Sequence, residues 1–194
     1  MNSTREQTQA LVDQVLSGNE QAFRGIIDAN ERLVRQIVYR ILQNDADRED
    51  VCQDVFLKVY QNLATFQFNS KLSTWIGRIA FNTALNHIEK KKVPLVADSV
   101  DEETTADQWP DITDITEEFA ESRDLSIKLA GEIDELPVMY GTILSLFHLQ
   151  DMQYGEIADI LSLPIGTVKN YLFRARRMLR ERLMQKFTAE DLCL

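Results

Sequence analysis

The chain has 194 residues, 44 % of them apolar, with only seven Gly and four Pro and a formal net charge of −10. That apolar content suits one ordinary domain or two small ones, and the scarcity of Gly and Pro favours a helix-rich fold. No apolar run nears the roughly 18–20 residues of a membrane span, the polar N-terminus carries no secretory segment, and Cys52 and Cys193 fit neither a disulfide framework nor a zinc site, so a cytoplasmic protein with no direct membrane insertion is expected.

Split along the chain, the charge is uneven. Residues 1–92 carry 12 basic and 11 acidic groups, residues 93–130 carry 2 and 11, and residues 131–194 carry 7 and 9. Nearly all the excess sits in the middle segment, which also holds Pro94 and Pro110 and has no sustained apolar period. Like-charge repulsion and sparse apolar content favour an extended linker there. An all-α protein is expected, with two helical domains at 1–92 and 131–194 joined by an acidic linker at 93–130.

In the first segment apolar residues recur at helical spacing through Ala22, Phe23, Ile26 and Ile27, then Leu33, Val34, Ile37, Val38, Ile41 and Leu42. Asn44 to Asp47 interrupts that run and caps a predicted helix from Arg48 to Leu63, with Val51, Val55, Phe56 and Val59 as its buried stripe. Asp47, Asp50 and Asp54 fall at i, i+3 and i+7 with Gln53 beside them. Two readings fit: a solvated acidic face near a helix N-terminus, where the dipole favours negative charge, or a docking surface for a basic partner. A polar loop with Phe66 and Phe68 leads into a predicted helix over 72–92, whose core side is expected to hold Leu72, Ile76, Ile79 and Thr83. Trp75, Arg78, Asn82 and Asn86 form a second stripe. Its residue types suit nucleic acid, since Asn pairs bidentately with base edges and an aromatic supports an unstacked base. Trp75 in the core with surface Asn is the alternative. Lys90, Lys91 and Lys92 at the helix end add phosphate-binding charge.

In the last segment Pro137 opens an apolar helix through Val138, Ile143, Leu144, Leu146 and Phe147. Tyr154, Ile157, Ala158 and Leu161 then give a short helix its expected buried stripe, and 162–166 makes a turn. In the following helix Val168, Leu172, Ala175 and Leu179 recur at i, i+4, i+7 and i+11 and face the core. The opposite side shows Lys169, Phe173, Arg176, Arg177 and Arg180, with Asn170 and Arg174 at its margin. This is the layout of a helix-turn-helix reader, whose second helix enters the DNA major groove. Lys169, Asn170, Phe173 and Arg174 are placed to reach base edges, and Arg176 and Arg177 to hold phosphates. A basic solvated helix in a bundle is the alternative. Catalysis finds no support: His87 and His148 fall in different domains, and there is no Gly-rich phosphate loop, cofactor motif or His/Cys cluster.

Both halves together resemble the extracytoplasmic-function branch of bacterial sigma factors, the two-domain promoter-recognition subunits of RNA polymerase. The carrying residues are 47–60, DREDVCQDVFLKVY, and 73–86, STWIGRIAFNTALN, then Leu136-Pro137 and 154–177, YGEIADILSLPIGTVKNYLFRARR. The resemblance covers about residues 19–92 and 132–184. It implies that the acidic helix docks on core RNA polymerase through Asp50, Gln53 and Asp54, with Asp47 of the same flank expected beside them. It implies that Phe68, Asn69 and Ser70, with Asn82 and Asn86, capture unpaired bases of the minus-ten promoter element, and Trp75 and Arg78 of the same stripe are expected to join them. Lys169, Asn170, Phe173 and Arg174 match the minus-thirty-five readers. The acidic linker resembles the family's connector in the polymerase RNA channel. No cofactor or metal is implied. The short tail after the reader helix implies control by a separate anti-sigma factor, commonly membrane-bound. Gln153 stands where a capping Ser or Thr is usual, and Ser162 where a turn Gly is common. The expected function is therefore transcription initiation with core polymerase on promoter DNA; an operator-binding regulator and a nucleic-acid enzyme are the competing classes.

Overall fold

The computed structural model describes residues 2–90 and 131–186, with side chains from Arg5 onward at the N-terminal end. The expected linker at 93–130, Lys91, Lys92 and Cys193 lie outside the described residues. Among the described residues there are helices and no strands, and they build two helical domains.

The first domain is α1 (Asn2–Leu16), α2 (Glu20–Ile41), α3 (Asp45–Asn62), a 3-10 turn at Leu63–Thr65 and α4 (Leu72–Lys90). Gly18 takes a positive φ of 93° to end α1, and the Asn19 side chain then caps α2 by accepting from the Ala22 amide at 3.2 Å. Asn44 does the same for α3, accepting from the Ala46 and Asp47 amides at 2.9 and 3.2 Å. The helix therefore starts three residues earlier than the predicted Arg48. Asn44 alone is the cap, which leaves Asp45 and Asp47 in the first turn, where the dipole favours them. The polar N-terminal stretch, to which the sequence assigns no element, forms most of α1. Val12 and Val15 alone are buried there, one turn apart, where α1 packs on α2 and the 3-10 turn.

The core of this domain lies where α2, α3 and α4 meet. It is built from Ile26, Val34, Ile37 and Val38 of α2, Val51, Cys52, Val55 and Val59 of α3, and Ile76, Ala80, Phe81 and Ala84 of α4. Two predicted stripes are shifted. Cys52 is buried where Phe56 was expected, and Phe56 is half-buried; Leu72 and Ile79 are also half-buried, while Ala80 and Ala84 are fully enclosed. A strip of small side chains lets helix backbones approach closely, so burial follows shape as well as hydropathy. Burial pushes the Cys52 thiol up to about 11, so it is an inert packing group.

Arg48 holds the α2–α3 corner. Its Nε and Nη2 donate to the carbonyls of Leu42 and Tyr39 at 2.8 and 3.2 Å, satisfying acceptors that the end of α2 leaves open. Its guanidinium also lies 4.9 Å from the Tyr39 ring centroid. On the same side Tyr39 donates to Glu49, and Arg35 donates to Glu49 at 2.8 Å and to the Tyr39 hydroxyl. The hydrogen bond from Tyr39 first, and the charge of Arg35, hold the Glu49 carboxyl below its ordinary range.

In the second domain the described residues comprise a helical segment at 131–134, then α5 (Val138–His148), α6 (Tyr154–Leu161) and α7 (Ile165–Lys186). Every residue of α5 from Tyr140 to Leu146 is buried, and α7 packs along it. In α7 the buried row is Val168, Leu172, Ala175 and Leu179, as the periodicity predicts, extended by Leu183. In α6 the buried residues are Ile157, Ile160 and Leu161, whereas Tyr154 and Ala158 are only half-buried.

Two local devices replace the usual helix punctuation. At the start of α6 the Glu156 carboxylate reaches back to the Gln153 amide at 2.9 Å, half of a capping box in which Gln153 itself makes no cap. At its end Ser162 adopts φ 55°, and the Leu163 amide donates back to the Ala158 carbonyl at 3.1 Å. This is the Schellman closure that glycine ordinarily provides. In the 131–134 segment, Glu132 is buried between Arg182 and Lys186 at 3.1 and 2.7 Å. Hydrogen bonding from Lys186 first, and then from Arg182, holds its carboxyl below the ordinary range.

Candidate nucleic-acid and protein interfaces

On α7, Lys169, Arg174, Arg177 and Arg180 are exposed and Asn170 and Phe173 are half-buried. The row appears because the buried residues fix the helix face, and the intervening positions must then point outward. Arg176 departs from its expected phosphate-holding place. It is half-buried, with Nε donating to His148 Nε2 at 3.2 Å and its guanidinium 5.1 Å from the Phe147 centroid. Burial, and secondarily the charge of Arg176, drive His148 down to about 4, so near neutral pH its Nε2 is a bare acceptor and the ring proton sits on Nδ1. Arg176 is thereby a structural group first. Lys169 also has a partner inside the domain: its ammonium lies 5.8 Å from the Tyr154 centroid. Arg177 pairs with Glu181 at 2.9 Å, but both are well exposed and the pair restrains little.

In the first domain the loop before α4 has an aromatic floor. Phe66 is buried, with Phe68 at 4.6 Å and Trp75 at 5.4 Å between centroids. Phe68 takes a left-handed φ of 56°, an outlier for a bulky side chain, held here by that ring contact. Asn69 is exposed and donates to Gln67 Oε1 at 3.2 Å; Ser70 is half-buried. On α4, Arg78, Asn82 and Asn86 are exposed at i, i+4 and i+8, one continuous polar row. Trp75 combines both readings left open by its sequence position, since one side packs on Phe66 and it remains half-exposed. The structure thus brings the loop, Trp75 and the Arg78–Asn82–Asn86 row onto one stretch of chain.

On α3, Asp50, Gln53 and Asp54 are exposed. Asp47 is largely covered and faces α4, with His87 Nε2 at 3.6 Å from its carboxylate. The same flank continues into Leu57 and Tyr60, 55 % and 53 % exposed, which sequence reading passed over. Tyr60 packs edge-on against Phe23 at 4.9 Å. The available signal was that Leu57 lies at i+3 from Asp54 and i+4 from Gln53, with Tyr60 a further i+3 from Leu57, all off the Val51–Val55–Val59 row. Among the described residues no helix is long and apolar enough to cross a membrane, and no group of three or more His, Cys, Asp or Glu is placed to hold a metal.

A polar loop on an aromatic floor and an outward row of cations on a helix-turn-helix are features of proteins that bind DNA. The family model for Sigma-70 region 2 matches residues 26–93, and that for Sigma-70, region 4 matches residues 127–179. The ECF RNA polymerase sigma factor SigW of Bacillus subtilis (strain 168) is 34 % identical over 176 residues, covering 89 % of this chain and 94 % of its own. RNA polymerase sigma-H factor of Pseudomonas aeruginosa is 31 % identical, covering 93 % and 95 %. Among solved structures, CnrH in complex with the cytosolic domain of CnrY superposes with a TM-score of 0.63 at 20 % identity, over 92 % of this chain and 97 % of that one. The sigma factor RpoE in complex with the anti-sigma factor NepR from Bartonella quintana gives 0.59 at 20 %, over 85 % and 98 %. The chain belongs to the extracytoplasmic-function RNA polymerase sigma factors. It is a transcription initiation factor, not an enzyme.

Proposed function

We propose the following division of labour. The first domain, residues 1–92, docks on core RNA polymerase through the α3 flank of Asp50, Gln53 and Asp54, with Leu57 and Tyr60 as its apolar continuation and Asp47 as a contributor at the margin. Its loop at Phe68, Asn69 and Ser70, with Trp75, Arg78, Asn82 and Asn86, captures unpaired bases of the minus-ten element. Melting a duplex costs stacking energy, and a pocket that receives an extruded base recovers part of it. The second domain, residues 131–194, reads the minus-thirty-five element with Lys169, Asn170, Phe173 and Arg174, while Arg177 holds backbone phosphate. Arg176 serves by bracing α7. The acidic segment 93–130 lies in the polymerase RNA channel, its carboxylates standing where transcript phosphates pass.

The observation that carries this reading is the outward row of Lys169, Arg174, Arg177 and Arg180 on α7 in a chain of net charge −10. Cations concentrated on one helix face against an acidic background are a localised phosphate and base-edge footprint. The protein works in the cytoplasm, and an anti-sigma factor holds it inactive, at the membrane where that inhibitor is membrane-bound. Two proteins of similar fold, RpoE solved with the anti-sigma factor NepR and CnrH solved with the cytosolic domain of CnrY, support this.

Run-off transcription with purified core polymerase, with and without the chain, tests the reading. A new start site that requires both is expected. Asp50→Arg should abolish core association, and Lys169→Ala and Arg174→Ala should weaken initiation while sparing it. Tight binding of promoter by the chain alone, with no start site from core enzyme, would replace the reading by that of an operator-binding regulator.

A further inference from the structure

Lys169 and Arg176 of α7, seven residues or two helical turns apart, each lie beside one ring of a stacked aromatic pair. Phe147 at the end of α5 and Tyr154 at the start of α6 stack at 5.1 Å with 27° between ring planes. The Arg176 guanidinium lies 5.1 Å from the Phe147 centroid and the Lys169 ammonium 5.8 Å from the Tyr154 centroid. Arg176 is fixed from behind by its bond to neutral His148. Lys169 is exposed, as are Arg174, Arg177 and Arg180, whereas Arg176 is half-buried. A lysine otherwise carries four rotatable bonds of freedom, and holding its ammonium in one place removes much of the ordering cost of a contact.

We infer that Tyr154 is a positioning residue for promoter recognition: its ring, backed by Phe147, holds the Lys169 ammonium at the N-terminal edge of α7 and so sets the base preference of that one side chain, without Tyr154 touching a base. The inference rests on Lys169 being a base reader. The ring face acts and the hydroxyl does not, so Tyr154→Phe retains function. Removing the ring frees Lys169 to sample other rotamers and to seek any nearby phosphate. Lys169 then binds the backbone generally in place of one base edge.

The test uses the full chain with core polymerase on a promoter series in which each minus-thirty-five base pair is replaced in turn. Lys169→Ala first identifies the pair whose replacement no longer matters. Tyr154→Leu should lower discrimination at that pair by about two- to five-fold, the worth of an exposed ammonium–ring contact. It should leave the other positions unchanged and have no further effect in the Lys169→Ala background, while Tyr154→Phe matches the parent. Three results would overturn the inference. A uniform loss at all positions that persists in the Lys169→Ala background would make Tyr154 a stability residue only. A loss in Tyr154→Phe equal to that in Tyr154→Leu would assign the effect to the hydroxyl, as a phosphate contact. A Lys169→Ala variant that reads every position as the parent does would remove the base-reading assignment itself, and the inference with it. The first two leave that assignment standing.

Discussion

Arg48→Met isolates the bonds that hold the α2–α3 corner. Methionine keeps most of the aliphatic stem and removes only the charged fork. Lost with it are the bonds to the Leu42 and Tyr39 carbonyls at 2.8 and 3.2 Å, the cation over Tyr39, and a pairing with Asp45 at 2.7 Å. The Asp45 side chain is 90 % exposed, so that pairing contributes about 0.5 kcal/mol or less. Hydrogen bonds from a charged donor are each worth about 1.5–3 kcal/mol where solvent is excluded. The Arg48 side chain is 25 % exposed, so water will recover part of both. A loss of about 2–3 kcal/mol follows, or roughly 1–2 M in a urea midpoint. Urea unfolding of the whole chain, followed by Trp75 fluorescence in a Trp109→Phe background, reads the first domain. Arg48→Lys should fall between parent and Met, because an ammonium can replace only one of two diverging donors. Asp45→Ala should lie within about 0.5 kcal/mol of the parent. An Arg48→Met midpoint equal to that of Asp45→Ala would refute the assignment of Arg48 as a carbonyl clamp.

Further outcomes follow for the second domain. His148 is held near 4 in the fold against 6.5 ordinarily, by burial first and Arg176 second, with a smaller opposite pull from Asp151. As pH falls below about 6.5 the unfolded chain takes up this proton and the folded one does not, so stability drops between pH 6.5 and 4, by at most about 1.4 kcal/mol per pH unit. His148→Gln should flatten that slope in urea titrations at pH 7, 5.5 and 4.5; an unchanged slope would refute the account. Ser162→Gly relieves a left-handed residue, a gain of about 1–2 kcal/mol, against the extra backbone entropy glycine loses, about 0.5–1 kcal/mol. A net stabilisation of about 0.5–1 kcal/mol in thermal unfolding is expected, and destabilisation would reveal a role for the hydroxyl. Salt titration of initiation complexes should separate the cations: Arg177→Gln and Arg180→Gln each lower the log–log slope by about 0.9, whereas Arg182→Gln, whose guanidinium serves Glu132, leaves it unchanged.

The architecture was legible because most of it is periodicity. Val168, Leu172, Ala175 and Leu179 are buried as their spacing requires, and the two helical domains sit where apolar repeats are dense. What escaped did so for identifiable reasons. α1 carries too few apolar residues for a repeat, and is helical because Val12 and Val15 find a surface on α2 that no local pattern announces. Ala80 and Ala84 outrank Ile79 in α4 because close helix approach rewards small volume, which hydropathy ranks low. Gln153 and Ser162 looked like weakened punctuation. The missing side-chain cap is replaced by Glu156 three residues on, and the missing glycine by a serine driven into the left-handed region.

The candidate interfaces were less legible than the fold, and the reason lies in side-chain reach. Helical spacing assigns a residue to a sector of the helix, not to a partner, and a long cation can leave its sector. Arg176 and Arg177 are neighbours in sequence and were given one role, yet Arg177 is exposed while Arg176 turns back onto Phe147 and His148, groups contributed by α5. Asp47 and Asp54 fall on one flank by spacing, yet Asp47 sits in the first turn of α3 within reach of His87 on α4, whereas Asp54 is exposed. In each case the deciding group comes from another helix, so no pattern within one helix could announce it. The same logic governs Lys169, whose ring partner belongs to α6. A reader helix is therefore a selection from its cations, made by whichever aromatic and imidazole faces the rest of the domain turns toward them.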